Sequence, residues 1–392
     1  MSLSRLFRPR RLLLTTLIAL ALFAAQLVIG AQSGFASRAS CGAQPADWST
    51  LALPVGLGVP PTPVPPLRVV SYNLHSGLGS RLLPLASRAE VEGNLRAIAA
   101  HIAGAGAVPA DAVALNEVDF GSRRTGWIDQ ATFLAEQLRR LTGEDYQVVR
   151  GETWRRDIPG LEVRFGNALL VRHPVVASRS CLLDGPCGAV ARRWFGGEPR
   201  GVLQATLEFH GRELDLLVSH LEAFAPGRRE RQAAELRQRF VRPGRTTVLL
   251  GDMNAVAAAA QHKRWFVDDD RSHDILTAGT LQDARVVLAA RAGLGDLSSW
   301  ATYPAALPAW ALDGAFASPE LLPESAHAIG DPASSDHRGL LVRYRWLSPD
   351  MAAIQAQWHQ SLQHQQRQRL KACFRPRTLP APALQAIWAG MG

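Results

Sequence analysis

The eight residues at positions 247–254, Thr-Val-Leu-Leu-Gly-Asp-Met-Asn, constrain the fold most strongly. An apolar run that ends at Gly251 is typical of a short buried strand. The next residue, Asp252, brings a carboxylate to the end of that strand. Burying a carboxylate there costs free energy unless the group is paired, hydrogen-bonded or bound to a metal. The stretch therefore predicts a strand with a polar site at its end.

The same arrangement of an apolar run beside a polar residue recurs along the chain. Besides Asp252 and Asn254, the polar residues at these places are Asn73, Glu117, His220, Asp313, Asp336 and His337. Ligands of α/β sheets bind where strand ends open into loops, so we expect these side chains to share one site. Taken singly, each of them would be interpreted as a structural polar group.

The residue types in this set indicate a chemistry. Carboxylates and amides with few imidazoles suit Mg²⁺ or Mn²⁺ rather than zinc. A histidine held by an acid acts as a general base or an electrophile near neutral pH. Together these groups predict metal-assisted attack of water on a phosphodiester or a phosphomonoester.

Predicted strands and helices alternate around these residues, with some hairpins. Ser87 and Glu90 form a capping-box pair ahead of one helix. A second helix is predicted over Trp127–Leu141 from the helical spacing of its apolar residues. The alternation predicts one mixed-sheet α/β or α+β domain over residues 67–346.

Short motifs follow one another through this domain. They are Ser71-Tyr-Asn73-Leu-His75, Leu115-Asn-Glu117-Val-Asp119, Gly166-Asn167-Ala-Leu-Leu, Ser219-His220-Leu221, Gly251-Asp252-Met-Asn254, Leu312-Asp313-Gly-Ala-Phe316 and Ser335-Asp336-His337. In type and order they resemble the DNase I-like endonuclease/exonuclease/phosphatase superfamily. Arg124-Thr-Gly126 with Asp129-Gln130, and Glu198-Pro-Arg200-Gly201, resemble its bacterial metal-dependent hydrolase branch.

Two positions depart from the pattern of that superfamily. Asn116 stands where a glutamine is usual, and Gly314 stands where an aromatic residue or a histidine is common. Neither change removes a chemical group that the predicted reaction needs, but both could alter the shape of the pocket.

The resemblance implies an α+β fold of four layers, in which two packed mixed β-sheets are flanked by helices. It also implies roles for individual residues. The ligands of a Mg²⁺ (or Mn²⁺) ion would be Asn73, Glu117 and Asp336; the catalytic residues His220, Asp252, Asn254, Asp313 and His337; and the substrate-binding residues His75, Arg124, Asn167 and Arg200. Either Asp252 or His337 could be the general base. His75, Arg124 and Arg200 could equally be ordinary surface or ion-pair residues.

The N-terminal segment carries targeting information. Four arginines precede an apolar run over residues 12–31, as in an export signal. Because the run is also long enough to span a bilayer, residues 1–36 are interpreted as a cleaved signal peptide or as an anchor in the inner membrane. Both place the bulk of the chain in the periplasm or outside the cell. Residues 37–66 are a proline-rich linker, and residues 347–392 are a polar Gln/His-rich tail.

Charge and cysteines leave alternatives open. A net charge of +9 favours a polyanionic partner or an anionic membrane surface, although the dominance of arginine over lysine also follows from a GC-rich genome. Cys181 and Cys187 flank an Asp-Gly-Pro turn that could join them in a disulfide, with free thiols as the alternative. His273 and the histidines of the tail are interpreted as surface residues, and Asp268–Asp270 as a solvated turn.

The predicted function is an exported or membrane-anchored phosphoesterase, a monomer that acts on a nucleic acid, a lipid headgroup or a small ester. One alternative is a lipid phosphodiesterase of the phosphoinositide or sphingomyelin type. Another is a non-catalytic binding domain of the same fold. The first strand is not followed by a glycine-rich dinucleotide fingerprint, which argues against a cofactor-dependent oxidoreductase.

Overall fold

The computed structural model describes residues 64–81, 86–192, 198–257, 270–294 and 297–373, with side chains as far as residue 364. The predicted segment 1–36, nearly all of the linker, Asp268, Asp269 and the end of the tail lie outside the described residues. Among the described helices, none has the length and apolar character needed to cross a membrane.

Two mixed β-sheets form the centre of the domain. The strands are β1 (Leu67–Asn73), β2 (Ala112–Asp119), β3 (Gln147–Arg156), β4 (Val163–Val171), β5 (Val175–Leu182), β6 (Ala191–Arg192), β7 (Gly201–Phe209), β8 (Arg212–Ser219), β9 (Thr247–Asp252), β10 (Gln282–Asp283), β11 (Asp313–Ala317), β12 (Leu321–Ile329) and β13 (Gly339–Trp346). The seven-stranded sheet has the order β12-β13-β1-β2-β4-β3-β6, and the six-stranded sheet has the order β10-β11-β9-β8-β7-β5.

The central strands are apolar on both faces because both faces are covered. On β1, Val69 packs between the two sheets, whereas Val70 packs against helices. On β9, Leu250 packs between the sheets and Leu249 packs on the opposite face. Since successive side chains of a strand point to opposite faces, a strand in this position needs a continuous apolar run rather than an alternating one.

Helices pack against both sheets. They are α1 (Arg88–Gly104), α2 (Gln130–Thr142), α3 (Pro226–Phe240), α4 (Ser272–Thr277), α5 (Ala284–Arg291) and α6 (Pro349–Cys373). Helices α1 and α2 pack on the seven-stranded sheet, and α3 packs on the six-stranded sheet. The predicted four-layer α+β sandwich of two mixed sheets flanked by helices is thus confirmed.

Helix starts follow their capping residues. The capping box of α1 is confirmed, since the Ser87 backbone N–H donates to Glu90 Oε2 at 2.8 Å and Ser87 Oγ accepts from the Glu90 N–H at 3.3 Å. The predicted start of α2 at Trp127 is wrong. Trp127 has a φ of 63°, outside the helical region, and Asp129 caps the helix by accepting from the Thr132 N–H at 3.1 Å.

The C-terminal helix α6 packs into the core of the domain. This helix lies in the Gln/His-rich tail, and one of its faces is buried. Trp358 and Leu362 join the cluster between the sheets, and Gln355 Nε2 donates to Gln282 Oε1 at 2.9 Å. Residues beyond the predicted domain end at 346 therefore contribute to the same core.

Three polar residues that the sequence placed at the surface have buried partners instead. His273 is 6% exposed, and its Nε2 lies 2.9 Å from Asp283 Oδ2. His359, in the predicted tail, is 2% exposed. Asp270, assigned to a solvated turn, accepts a hydrogen bond from the wholly buried Arg229 at 2.9 Å. The surface assignments of His273 and His359 are wrong because residues distant in sequence cover both side chains.

A disulfide joins Cys181 to Cys187 and closes the predicted turn. Of the two states that the sequence left open, the bonded one is present. Arg239 Nη2 lies 3.4 Å from Cys187 Sγ, so the turn contacts helix α3.

Because α6 packs into the core, shortening a buried side chain of this helix should lower the stability of the protein. Leu362 is wholly buried, so Leu362→Ala should lower the free energy of unfolding by about 2–5 kcal/mol. Gln360 lies on the exposed side of the same helix, and Gln360→Ala should change it by less than about 0.5 kcal/mol. Chemical denaturation measures both. Equal, small effects would contradict a core role for α6.

His359 predicts a pH dependence of stability. Burial lowers the pKa of its imidazole from 6.5 to about 4. Between these values the unfolded chain binds the proton and the folded chain does not, so stability falls as the pH drops through this window. When the pH falls from 7 to 4.5, the free energy of unfolding should decrease in both proteins. The decrease should be about 2 kcal/mol smaller in His359→Gln than in the wild type.

Urea denaturation at the two pH values measures this difference. Gln360→Ala, at an exposed position of the same helix and without a titratable side chain, should keep the pH dependence of the wild type. Identical pH dependence in His359→Gln and the wild type would show that His359 does not contribute to the acid sensitivity.

Candidate active site

The strand ends named in the sequence meet at one edge of the sandwich. Strand β9 ends at Asp252, and β11 begins at Asp313 directly opposite, in antiparallel register. Strand β1 from the other sheet ends at Asn73, whose Nδ2 donates to Asp252 Oδ2 at 3.1 Å. Both sheets therefore contribute residues to one polar site, as expected from the sequence.

Asp252 is at the centre of this site. It is 2% exposed, and burial raises the pKa of its carboxyl group. His220 Nε2 lies 3.5 Å from Asp252 Oδ2, and His337 Nε2 lies 3.6 Å from the same oxygen. Asn116 Oδ1 accepts from the Asp252 backbone N–H at 2.9 Å. A buried carboxylate between two imidazoles can accept a proton or orient a water molecule.

Gly251 allows β8 and β9 to approach closely enough for this contact. Its φ is 139°, and a Cβ atom built there would lie 1.9 Å from the carbonyl oxygen of Ser219. That distance is far inside van der Waals contact, so any side chain would push β8 away. The glycine thus keeps His220, which follows β8, beside Asp252.

Glu117 lies on an irregular part of β2. The pairing of β2 with β4 shifts register between Leu115 and Val118, and Glu117 has a φ of 54°. Strand bulges re-aim a side chain, and a left-handed non-glycine residue is strained. The bulge turns the Glu117 carboxylate toward the site, where it accepts from Asn73 Nδ2 at 3.0 Å.

His337 is held between two carboxylates. Its Nδ1 lies 2.8 Å from Asp313 Oδ2, while its Nε2 faces Asp252. Burial alone would lower the pKa of His337, but Asp313 and Asp252 outweigh burial and raise it to about 10. The ring is therefore a cationic donor at neutral pH in this environment.

His220 has the opposite electrostatic environment. Arg200 Nη1, which can only donate, lies 2.8 Å from His220 Nδ1, so that nitrogen accepts and Nε2 carries the proton. Burial, followed by the charge of Arg200, lowers the pKa of His220 well below its usual value. A neutral His220 and a cationic His337 thus flank Asp252.

Glu198 lies in the site, although the sequence motif that contains it gave it no role. Its Oε2 accepts from Arg200 Nη1 at 3.1 Å, and partial burial together with the negative charge of Glu117 raises its pKa. Ligand atoms of Glu117, Glu198 and His220 lie within 4.8 Å of one another. Alternate residues of an extended segment share a face, so the position of Glu198 two residues before Arg200 could have identified it.

The donor set of the site fits a divalent cation. Two groups of side chains bring potential ligand atoms within 4.8 Å of one another: Glu117 with Glu198 and His220, and Asp252 with Asp313 and His337. Both histidines already use Nδ1 in a hydrogen bond and carry a proton on Nε2, so the carboxylates are the ligands that remain. In addition, the Oδ1 atoms of Asp313 and Asp336 are buried without a hydrogen-bond partner among the described residues. Uncompensated carboxylate oxygens are the ligands that hard cations prefer.

The predicted metal ligands lie at different places in the site. Glu117 and Asn73 are adjacent, but Asn73 uses its amide nitrogen to bridge Glu117 and Asp252, and its Oδ1 accepts from the His75 N–H at 3.0 Å. Asp336 Oδ1 lies 3.6 Å from His75 Nδ1. In the described contacts, Asn73 positions the carboxylates of Glu117 and Asp252 by hydrogen bonding. Its role as a metal ligand stays a prediction.

The predicted substrate-binding residues differ in their contacts. Arg200 contacts His220 within the site. Arg124 instead donates to both oxygens of Asp119 at 2.9 Å. Asn167 is 4% exposed and donates to the Gly201 carbonyl at 3.2 Å. The structure thus gives Arg124 and Asn167 partners within the protein.

Asn254 and His75 each contact the loops around the site. Asn254 has a φ of 48°, its backbone N–H donates to Asp252 Oδ1 at 2.9 Å, and its Nδ2 donates to the Leu221 carbonyl at 3.1 Å. His75 Nδ1 lies 2.8 Å from the Gly79 carbonyl. Asn254 therefore braces the loop after β9 against the loop after β8.

Comparison with known proteins gives a family match. A sequence model of a protein family, described as the Endonuclease/Exonuclease/phosphatase family, matches residues 70–337. The search of curated proteins gives no match.

Solved structures share the fold at low sequence identity. An endonuclease/exonuclease/phosphatase from Beutenbergia cavernae DSM 12333 is 20% identical, with a TM-score of 0.51 and 72% of each chain covered. A family protein from Leptotrichia buccalis C-1013-b is 17% identical, with a TM-score of 0.51, covering 71% of this chain and 100% of that one. One from Bacteroides vulgatus is 16% identical, with a TM-score of 0.51, covering 72% and 99%.

The family match includes the residues of the site from Asn73 to His337. The match covers more than half of the chain. The two packed sheets also agree with the sandwich that the resemblance implied. The resemblance predicted from the sequence is confirmed, and the chain belongs to the endonuclease/exonuclease/phosphatase family.

Proposed function

We propose that the protein is an exported or membrane-anchored phosphoesterase that depends on Mg²⁺ or Mn²⁺ and hydrolyses a phosphodiester or a phosphomonoester. The single observation that supports this most is Asp252, buried between His220 and His337. Membership of a family of phosphate-ester hydrolases supports the same reaction class.

Asp252 is the residue that we assign to the attacking water. His337 has a carboxylate on each side, at 2.8 Å from Asp313 and 3.6 Å from Asp252, and both favour the protonated ring. A protonated ring cannot accept another proton, so Asp252 is the better acceptor. His337 then donates to a phosphate oxygen and stabilises the charge of the transition state.

The other polar residues hold the phosphate. His220 offers its Nε2 proton, because its Nδ1 accepts from Arg200. Asn254 and Arg200 add donors beside it. Preorganised donors of this kind stabilise developing negative charge without reorganising during the reaction.

Glu117 and Asp336 would hold the cation, with Glu198 as a further oxygen ligand. When bound, the ion supplies charge neutralisation and polarises a phosphate oxygen. The chain's own contribution is to hold the carboxylates in place, since Asn73 Nδ2 donates to both Glu117 and Asp252.

Export and substrate rest on different observations. The disulfide between Cys181 and Cys187 supports an oxidising compartment, and the apolar run at 12–31 supports export. The net charge of +9 favours an anionic substrate such as a nucleic acid or a lipid headgroup.

The test is hydrolysis of plasmid DNA, a phosphoinositide and bis-p-nitrophenyl phosphate by the full-length chain with Mg²⁺, with Mn²⁺ and with EDTA. We expect turnover of at least one substrate with metal and its loss with EDTA. Glu117→Gln and His337→Gln should each lower kcat on the order of 100-fold or more, because each removes a charged group of the site.

Matched controls are Glu136→Gln on α2 and His327→Gln on β12, both at exposed positions, which should keep wild-type activity. The preferred substrate would decide among the nuclease, lipid and small-ester alternatives. Metal-dependent turnover that survives in Glu117→Gln and His337→Gln would place the reaction elsewhere. Folded wild-type protein without turnover on any substrate would favour the non-catalytic alternative.

A further inference from the structure

A wholly buried arginine lies behind the site. Arg285, in the first turn of α5, has no exposed surface. Its Nη1 donates to the backbone carbonyl of Ala311 at 2.7 Å and to that of Asp313 at 2.6 Å. Asp313 is the residue whose carboxylate contacts His337. The guanidinium therefore bonds the backbone carbonyl of a residue whose carboxylate belongs to the site.

Arg285 is itself fixed by a carboxylate. Asp283 Oδ1 accepts from Arg285 Nε at 3.0 Å, and Asp283 Oδ2 accepts from Arg285 Nη2 at 2.7 Å. His273 Nε2 lies 2.9 Å from Asp283 Oδ2. Such a buried network is stable only when nearly every donor has a partner, so its geometry is tightly specified.

The C-terminal helix closes this network. Gln355 on α6 donates to Gln282, the residue before Asp283. Gln363, also on α6, donates to the Thr277 carbonyl at the end of α4. The segment that carries Asp283 is thus held from the side of α6.

The backbone of Asp313 is hydrogen-bonded on both sides of its Cα atom. Its N–H donates to Thr302 Oγ1 at 3.2 Å, and its carbonyl accepts from Arg285. A catalytic side chain must stay within about 0.5 Å of its productive position, so the backbone that carries it must be fixed equally well. The two bonds to the backbone of Asp313 meet this requirement.

We propose, on the basis of the hydrolytic function proposed above, that Arg285 is a positioning residue: through the carbonyl of Asp313 it fixes the carboxylate that orients His337. Arg285 does not touch the substrate. Its loss should therefore lower the rate of the chemical step and leave substrate binding nearly unchanged.

The chain offers a matched control in Arg229. This arginine is also wholly buried, and it likewise bonds one carboxylate, Asp270, and two backbone carbonyls, those of Glu222 and Ala223. None of these partners is a residue that we assign to catalysis. Arg285→Lys and Arg229→Lys therefore remove similar buried bonds at different distances from Asp313.

The experiment compares both variants in the full-length chain, with kcat and KM measured on the preferred substrate of the wild type. Arg285→Lys should lower kcat on the order of tenfold with KM within about twofold. Arg229→Lys should keep kcat within about twofold per folded molecule. Equal kcat in the two variants would overturn the positioning role.

Amide hydrogen exchange provides a readout that does not depend on activity. In Arg285→Lys, amides of residues 311–317 should exchange on the order of fivefold faster than in the wild type, while Arg229→Lys leaves them unchanged. Unchanged exchange in Arg285→Lys would overturn the proposal. If the wild type hydrolyses nothing, the proposed function fails, and exchange alone decides the positioning role.

Thr302→Val covers the case in which Arg285→Lys does not fold. This variant removes the bond to the backbone N–H of Asp313, so the same fall in kcat at constant KM is expected. Wild-type kcat and wild-type exchange at residues 311–317 in Thr302→Val would show that the position of Asp313 does not depend on hydrogen bonds to its backbone.

Discussion

The burial of the Asp252 carboxylate is the constraint on which the rest of the site depends. A charge with 2% exposure is costly unless several groups compensate for it. Here Asn73 and the two histidines surround one of its oxygens. The compensating groups come from both sheets, so the fold and the site stabilise each other.

Local backbone features bring these groups together. The close approach of β8 and β9 requires Gly251, and the bulge at Glu117 bends a side chain of β2 toward the site. Behind the site, Arg285 holds the backbone of Asp313. Strain and buried polarity are concentrated where the chain must place charged groups within hydrogen-bond distance.

Much of this site could be predicted because the signal is local. An apolar run that ends in a polar residue, as at Asp252, indicates a buried strand end, and strand ends of packed sheets meet. Glu198 was noted in a motif but given no role, because it does not end an apolar run of this kind. The partners of His273 and Arg285 could not be found since contacts between α4, β10, α5 and α6 depend on tertiary packing. The early start predicted for α2 reflects apolar spacing that Asp129 overrides as a cap.

The most direct test of the site is the position of a bound cation. A crystal structure of the full-length chain grown with Mn²⁺, with anomalous scattering collected at the manganese edge, would locate the ion. We expect manganese bonded to Glu117 in the site that contains Asp252 and His337. Manganese bound only elsewhere in the protein, with an undisturbed Glu117 carboxylate, would contradict the assignment of this site as a metal-dependent active site.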